Sequence, residues 1–121
     1  MPTKVLVVDD SAISRKMLIR SLPKDWDIEI EQACNGKEAV EAYKKGQVEV
    51  MFLDLTMPEM DGYQVLETLQ KDGLNCFVIV VTADIQAEAE ERVKKLGAMA
   101  FIRKPVDGEK LMPILKQYGI N

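Results

Sequence analysis

Apolar residues fall in short, almost continuous runs that alternate with longer stretches in which they recur at helical spacing. The runs at 5–8, 48–53 and 77–81 predict buried strands, and 99–103 a fourth of the same kind. A further strand at 28–33 reads as half-exposed, because Ile28 and Ile30 alternate with Glu29 and Glu31. Between them, 11–22 places Ile13, Met17, Leu18 and Leu22 on one helical face, and 37–45 does the same with Ala39, Val40 and Tyr43. Asn35 caps that second helix, Glu38 completes a capping box, and Gly46 stops it. Helices are also predicted over 62–71, with Val65, Leu66 and Leu69 inward, and over 84–96, with Ile85, Ala89, Val93 and Leu96 inward and Gly97 as stop. The last helix, 107–118, contains Pro113, so a kink or a later start is expected.

Five strands each followed by a helix, joined by short connections, predict one domain over 1–121: a doubly wound (βα)5 three-layer sandwich with a five-stranded parallel sheet. Ligands of such folds sit beyond the carboxyl ends of the strands, where strand order reverses. Asp9-Asp10, Asp54, Thr82 and Lys104-Pro105 follow four of the five strands. Three acidic side chains delivered to one rim repel one another unless a cation joins them, and a sparse set of oxygen donors suits Mg²⁺. With a cation present, one carboxylate can attack a phosphoryl group to give an acyl phosphate, with Lys104 and the Thr82 hydroxyl compensating the added oxygens.

Composition narrows the chemistry. The chain has no histidine, which removes Ser-His-Asp hydrolysis, histidine zinc sites and a phosphohistidine of its own. Sixteen basic against 20 acidic residues, a net charge of -4, argue against direct binding to a nucleic-acid backbone. Cys34 and Cys76 lie in no metal-ligand spacing and read as buried free thiols. No signal segment or membrane span is apparent, so a cytoplasmic protein without membrane insertion is expected. Trp26 reads as a half-buried loop anchor, Ser11 as a helix cap, and Ser14 as a candidate regulatory hydroxyl.

The set Val-Val-Asp-Asp-Ser at 7–11, Leu-Asp-Leu-Thr-Met-Pro-Glu-Met-Asp-Gly at 53–62, Val-Thr-Ala at 81–83 and Lys-Pro at 104–105 resembles the receiver domains of two-component response regulators, in the stand-alone, CheY-like format. The likeness runs over essentially the whole chain and implies a flavodoxin-like fold. It implies Asp54 as phosphoacceptor, and Mg²⁺ held by Asp9, Asp10, Asp54 and the backbone carbonyl of Thr56. It also implies Lys104 as the phosphoryl-pairing lysine, Thr82 and Phe101 as switch residues, and a cis Lys104–Pro105 bond. Thr56, Ala83 and Asp84 occupy the positions that tune phosphoryl lifetime, although Asp84 reads equally as a helix cap. Phe101 lacks the hydroxyl that a tyrosine has at this position.

The function so implied is a self-phosphorylating and self-dephosphorylating switch, rather than a turnover enzyme, in phosphorelay signalling, with chemotaxis as the favoured pathway. A sensor histidine kinase or phosphotransfer protein would supply the phosphoryl group. A downstream protein would bind the face of the fourth helix, fifth strand and fifth helix, where Arg92, Lys95, Arg103 and Lys110 stand near Glu88, Glu90 and Glu91. A monomer is expected, with phosphorylation-dependent dimerisation as a further state. Alternatives are a phosphate sink or relay receiver without a motor target, a small metal-dependent phosphatase, and a phosphate-independent binding module.

Overall fold

A computed structural model of the chain describes residues 2–57, 60–83 and 87–119. Its elements alternate strictly: β1 (Thr3–Val8), α1 (Ala12–Ser21), β2 (Ile28–Ala33), α2 (Gly36–Lys44), β3 (Val50–Leu53), α3 (Gly62–Lys71), β4 (Phe77–Thr82), α4 (Ala87–Lys95), β5 (Ala100–Arg103) and α5 (Gly108–Gln117). The five strands form one sheet in the order β2-β1-β3-β4-β5, every neighbouring pair parallel. This is the three-layer sandwich that the alternation predicts.

The continuous apolar runs resolve into two faces once paired. Leu6, Val8, Met51, Leu53, Val78 and Val80 point to one side, where α2, α3 and α4 cover them with Ala39, Val65, Leu66, Leu69 and Val93. Val5, Val7, Val50, Phe52, Ile79 and Val81 point to the other, beneath α1 and α5, against Leu18, Leu22, Leu111 and Leu115. Crossovers that keep one hand require this split. The chain steps outward from β1 to β2 through α1, then back past β1 and onward through α2, α3 and α4, so those three helices share the opposite face.

Several local expectations change. On α1, Leu18 and Leu22 are buried, but Ile13 and Met17 are exposed (73% and 48%). Those two lie a quarter-turn from the buried stripe. Ile30 on edge strand β2 is also exposed. Trp26 is buried rather than half-buried and packs with Leu18 and Leu22. Asn35 caps α2 by accepting from the Glu38 N–H, but Glu38 reaches back to the N–H of Cys34 instead of Asn35. Cys34 is exposed and Cys76 half-buried, so neither is the buried thiol expected. The last helix starts at Gly108 behind the Asp107 cap and runs through Pro113, with no later start.

Candidate functional site

The reversal of strand order lies between β1 and β3, and their ends are locked together. The Asp54 N–H donates to the Val8 carbonyl (3.0 Å), and the Asp9 N–H to the Ala33 carbonyl (3.1 Å), so the ladder runs one residue past each strand. Asp9 and Asp54 are consequently buried side by side, while Asp10 is exposed. One carboxylate oxygen from each of the three lies within 4.8 Å of the others. Three hard oxygen donors at that separation suit a small divalent cation such as Mg²⁺, which tolerates few protein ligands and retains waters.

Lys104 reaches this cluster from the far side of the sheet. Its N–H donates to the Thr82 carbonyl (2.9 Å), continuing the β4–β5 pairing past Arg103, and its peptide bond to Pro105 is cis. From there Nζ lies 2.7 Å from Asp9 Oδ2, 3.6 Å from Asp54 Oδ2 and 3.5 Å from Ser14 Oγ. Ser14 thus lines the cleft. Lys110, expected on a partner-facing surface, is exposed and donates to the carbonyls of Arg103 (3.2 Å) and Pro105 (2.9 Å), which flank Lys104.

Burial pushes the Asp54 carboxyl above the usual carboxylate value. The Lys104 ammonium opposes this, the Asp9 carboxylate adds to it, and the N–H groups of Leu55 and Thr56 oppose it. Asp54 Oδ1 accepts from the Leu55 N–H at 2.9 Å, and Oδ2 is the oxygen nearer Lys104. Gly62, at the start of α3, abuts the same backbone: its N–H donates to the Leu55 carbonyl (3.0 Å).

Of the other predicted residues, Thr82 ends β4 fully buried. Thr56 and Ala83 are exposed on the rim, in loops that follow β3 and β4. Phe101 is half-buried against the core beneath α2, α3 and α4. Asp84 lies outside the described residues, as does Ile85 of the predicted fourth helix. Arg15 was not singled out from the sequence, yet its guanidinium contacts the Asp9 carbonyl. Its position one turn into a helix carried no signal of that contact.

The family model of the response regulator receiver domain matches residues 5–116. Among curated relatives, the chemotaxis protein CheY of Thermotoga maritima is 35% identical over 97% of this chain and 98% of its own length. CheY of Listeria monocytogenes is 36% identical over 94% and 96%. A protein-glutamate methylesterase/protein-glutamine glutaminase of Koribacter versatilis is 42% identical, but the chain spans only 31% of its length. Among solved structures, the Borrelia burgdorferi CheY in a CheX-CheY-BeF3-Mg complex superposes with a TM-score of 0.88 at 31% identity, covering 98% of this chain and 90% of that one. With the doubly wound sheet and the acidic cluster at its switch point, these matches establish that the chain belongs to the response regulator receiver domain family of two-component systems.

Proposed function

We propose that the domain is a phosphorylation-driven switch that accepts a phosphoryl group on Asp54 and changes its protein-binding surface. The observation that carries this reading is the buried Asp54 carboxylate, within 4.8 Å of the Asp9 and Asp10 oxygens and with the Lys104 ammonium 3.6 Å away. In the transfer, Asp54 Oδ2 attacks phosphorus as the P–N bond of a partner's phosphohistidine breaks, and the leaving imidazole nitrogen keeps the electron pair. Water later cleaves the acyl phosphate, restoring the carboxylate and releasing inorganic phosphate. The carboxylates of Asp9, Asp10 and Asp54 and the Thr56 carbonyl would hold Mg²⁺, which when bound supplies the positive charge that three acidic groups and a phosphoryl dianion require.

Lys104 Nζ, 2.7 Å from Asp9 Oδ2 and 3.6 Å from Asp54 Oδ2, would turn from Asp9 to pair with the phosphoryl oxygens. Thr82 is the hydroxyl that moves onto them, and the rearrangement passes to half-buried Phe101. Thr56, Ala83 and Asp84 tune the lifetime of the acyl phosphate. The output face comprises α4, β5 and α5. Its α4 surface carries the Lys94–Glu90 (3.0 Å) and Lys95–Glu91 (3.6 Å) pairs, a mixed-charge surface suited to a protein partner. Chemotaxis is the pathway favoured, because CheY relatives match along nearly their whole length. The domain would act in the cytoplasm; no described helix is long and apolar enough to cross a membrane.

Incubation with acetyl phosphate and Mg²⁺ tests this. The wild type should acquire one acid-stable, base-labile phosphoryl group that Asp54→Asn loses. Equal labelling of the variant would remove Asp54 as acceptor, and no labelling of the wild type would favour a phosphate-independent binding module.

A further inference from the structure

We infer that Arg15 is a positioning residue for the acidic pair: its guanidinium fixes the Asp9–Asp10 peptide so that both carboxylates face the cation site. This rests on the Mg²⁺ site proposed above and adds a residue to it. Arg15 sits in the first turn of α1, where its own N–H donates to the Ser11 carbonyl (3.0 Å). From that base the side chain makes two short hydrogen bonds in different directions. One terminal nitrogen donates to the Asp9 carbonyl at 2.6 Å, and Nε donates to Gln32 Oε1 on β2 at 2.8 Å. One planar group thus ties α1 to the end of β1 and to the edge strand.

The bonded carbonyl matters because of which peptide it belongs to. The other polar atoms of Asp9 are held by the Ala33 carbonyl, the Ser11 N–H and the Lys104 ammonium. The Asp9 carbonyl completes the set, and it forms one side of the Asp9–Asp10 peptide plane. Asp10 is exposed, and no hydrogen bond to a described residue holds its carboxylate. Its position therefore follows the backbone from which it leaves, and Arg15 is the side chain that bonds to the carbonyl of that peptide. Groups that orient the ligands of a metal commonly change its affinity by about 10–100-fold when removed.

Charge and positioning make opposite predictions here. Arg15 is a cation beside a cation site, so deleting it should tighten Mg²⁺ binding if only its charge matters. If it holds the peptide, deleting it should weaken binding. Calorimetric Mg²⁺ titration of the unphosphorylated chain separates the two, using Arg15→Ala, Arg15→Lys and Gln32→Ala. Arg15→Ala should raise the Mg²⁺ dissociation constant about 10-fold. Arg15→Lys should recover only part, since one ammonium does not reproduce the two-directional fork. Gln32→Ala removes an anchor without changing charge and should weaken binding by a smaller factor; it also keeps the test decisive if Arg15→Ala fails to fold. In acetyl phosphate labelling, the Mg²⁺ concentration for half-maximal rate should rise with little change in the rate at saturating Mg²⁺. Unchanged or tighter binding by Arg15→Ala, or by Gln32→Ala where Arg15→Ala does not fold, would overturn the positioning role. A wild type that binds no Mg²⁺ would instead overturn the site on which it rests.

Discussion

Replacing Gly62 with alanine isolates the contact between α3 and the proposed acceptor, Asp54. A Cβ at this position would lie 2.5 Å from the Asp54 carbonyl oxygen and 2.8 Å from the Leu55 Cα, both backbone atoms that no rotamer change can move. Neither side yields easily. The Asp54 N–H is bonded to Val8, and α3 is pinned by Val65, Leu66 and Leu69, all fully buried. Ordinary van der Waals contact with the Asp54 oxygen demands a displacement of roughly 0.9 Å, and overpacking of this kind costs about 1–3 kcal/mol. For a domain of this size that lowers Tm by about 4–12 °C. Because the closest displaced atom belongs to Asp54 itself, part of the shift reaches its carboxylate, and misplacement approaching 1 Å slows a positioned reaction by up to about 100-fold.

The assay pairs thermal melting with initial rates of acetyl phosphate labelling. Gly73→Ala is the control: Gly73 has φ +76° and nothing within 4 Å of an added Cβ, so it loses roughly 1–2 kcal/mol from backbone conformation alone. That variant should label at the wild-type rate. Gly62→Ala should melt lower than wild type and label at least about 10-fold more slowly. Wild-type labelling by Gly62→Ala would refute the claim that this close approach sets the position of Asp54, the proposed acceptor.

Asp54 supplies a pH signature in the metal-free protein. Its folded carboxyl titrates above the ordinary value, so the native state holds the proton more tightly than the unfolded chain. Stability from this group is present below the unfolded value and is lost as pH rises through the folded one. In EDTA, Asp54→Asn should therefore gain stability relative to wild type across that interval, as read by urea unfolding against pH; a difference independent of pH would contradict it. The thiols give a second test: Cys34 donates to Glu38 Oε1 at 3.2 Å, and that bond raises its pKa, as burial raises Cys76 to about 11. Glu38→Gln should accelerate alkylation of Cys34 at pH 8 without affecting Cys76; an unchanged Cys34 rate would show that the carboxylate does not hold the proton. Trp26→Ala should cost about 3–5 kcal/mol in urea unfolding, and a loss below 1 kcal/mol would place Trp26 outside the core.

What was legible in the sequence follows from how each residue is held. Strands covered on both faces must be apolar at every position, so β1, β3 and β4 stood out, and so did the polar residue that ends each of them. Elements packed on one side carry a weaker signal. Ile13 and Met17 form one i, i+4 stripe on α1, Leu18 and Leu22 another beside it, and only the second meets the sheet. Spacing alone does not choose between stripes a quarter-turn apart. Cys34 failed for a related reason: it follows Ala33, the last buried residue of an edge strand, and falls just past the core.

Arg15 and Lys110 were the least legible residues of the site, because each bonds to backbone carbonyls. Arg15 bonds to Asp9 and Lys110 to Arg103 and Pro105, contacts that no spacing announces. There is a physical logic in those partners. A guanidinium paired with the Asp10 carboxylate would occupy a cation ligand and compete with the incoming ion. Bonded to the Asp9 carbonyl, the same group fixes the direction of the ligand while leaving its oxygens available. Among the basic side chains of the described residues, Lys104 is the one paired with these carboxylates, at 2.7 Å from Asp9 and 3.6 Å from Asp54, and it is the cation that the proposed chemistry must turn toward a phosphoryl group. The arrangement separates two kinds of contact: Arg15 and Lys110 bond to backbone carbonyls, and Lys104, paired with the carboxylates, is the group that would answer the proposed change in charge.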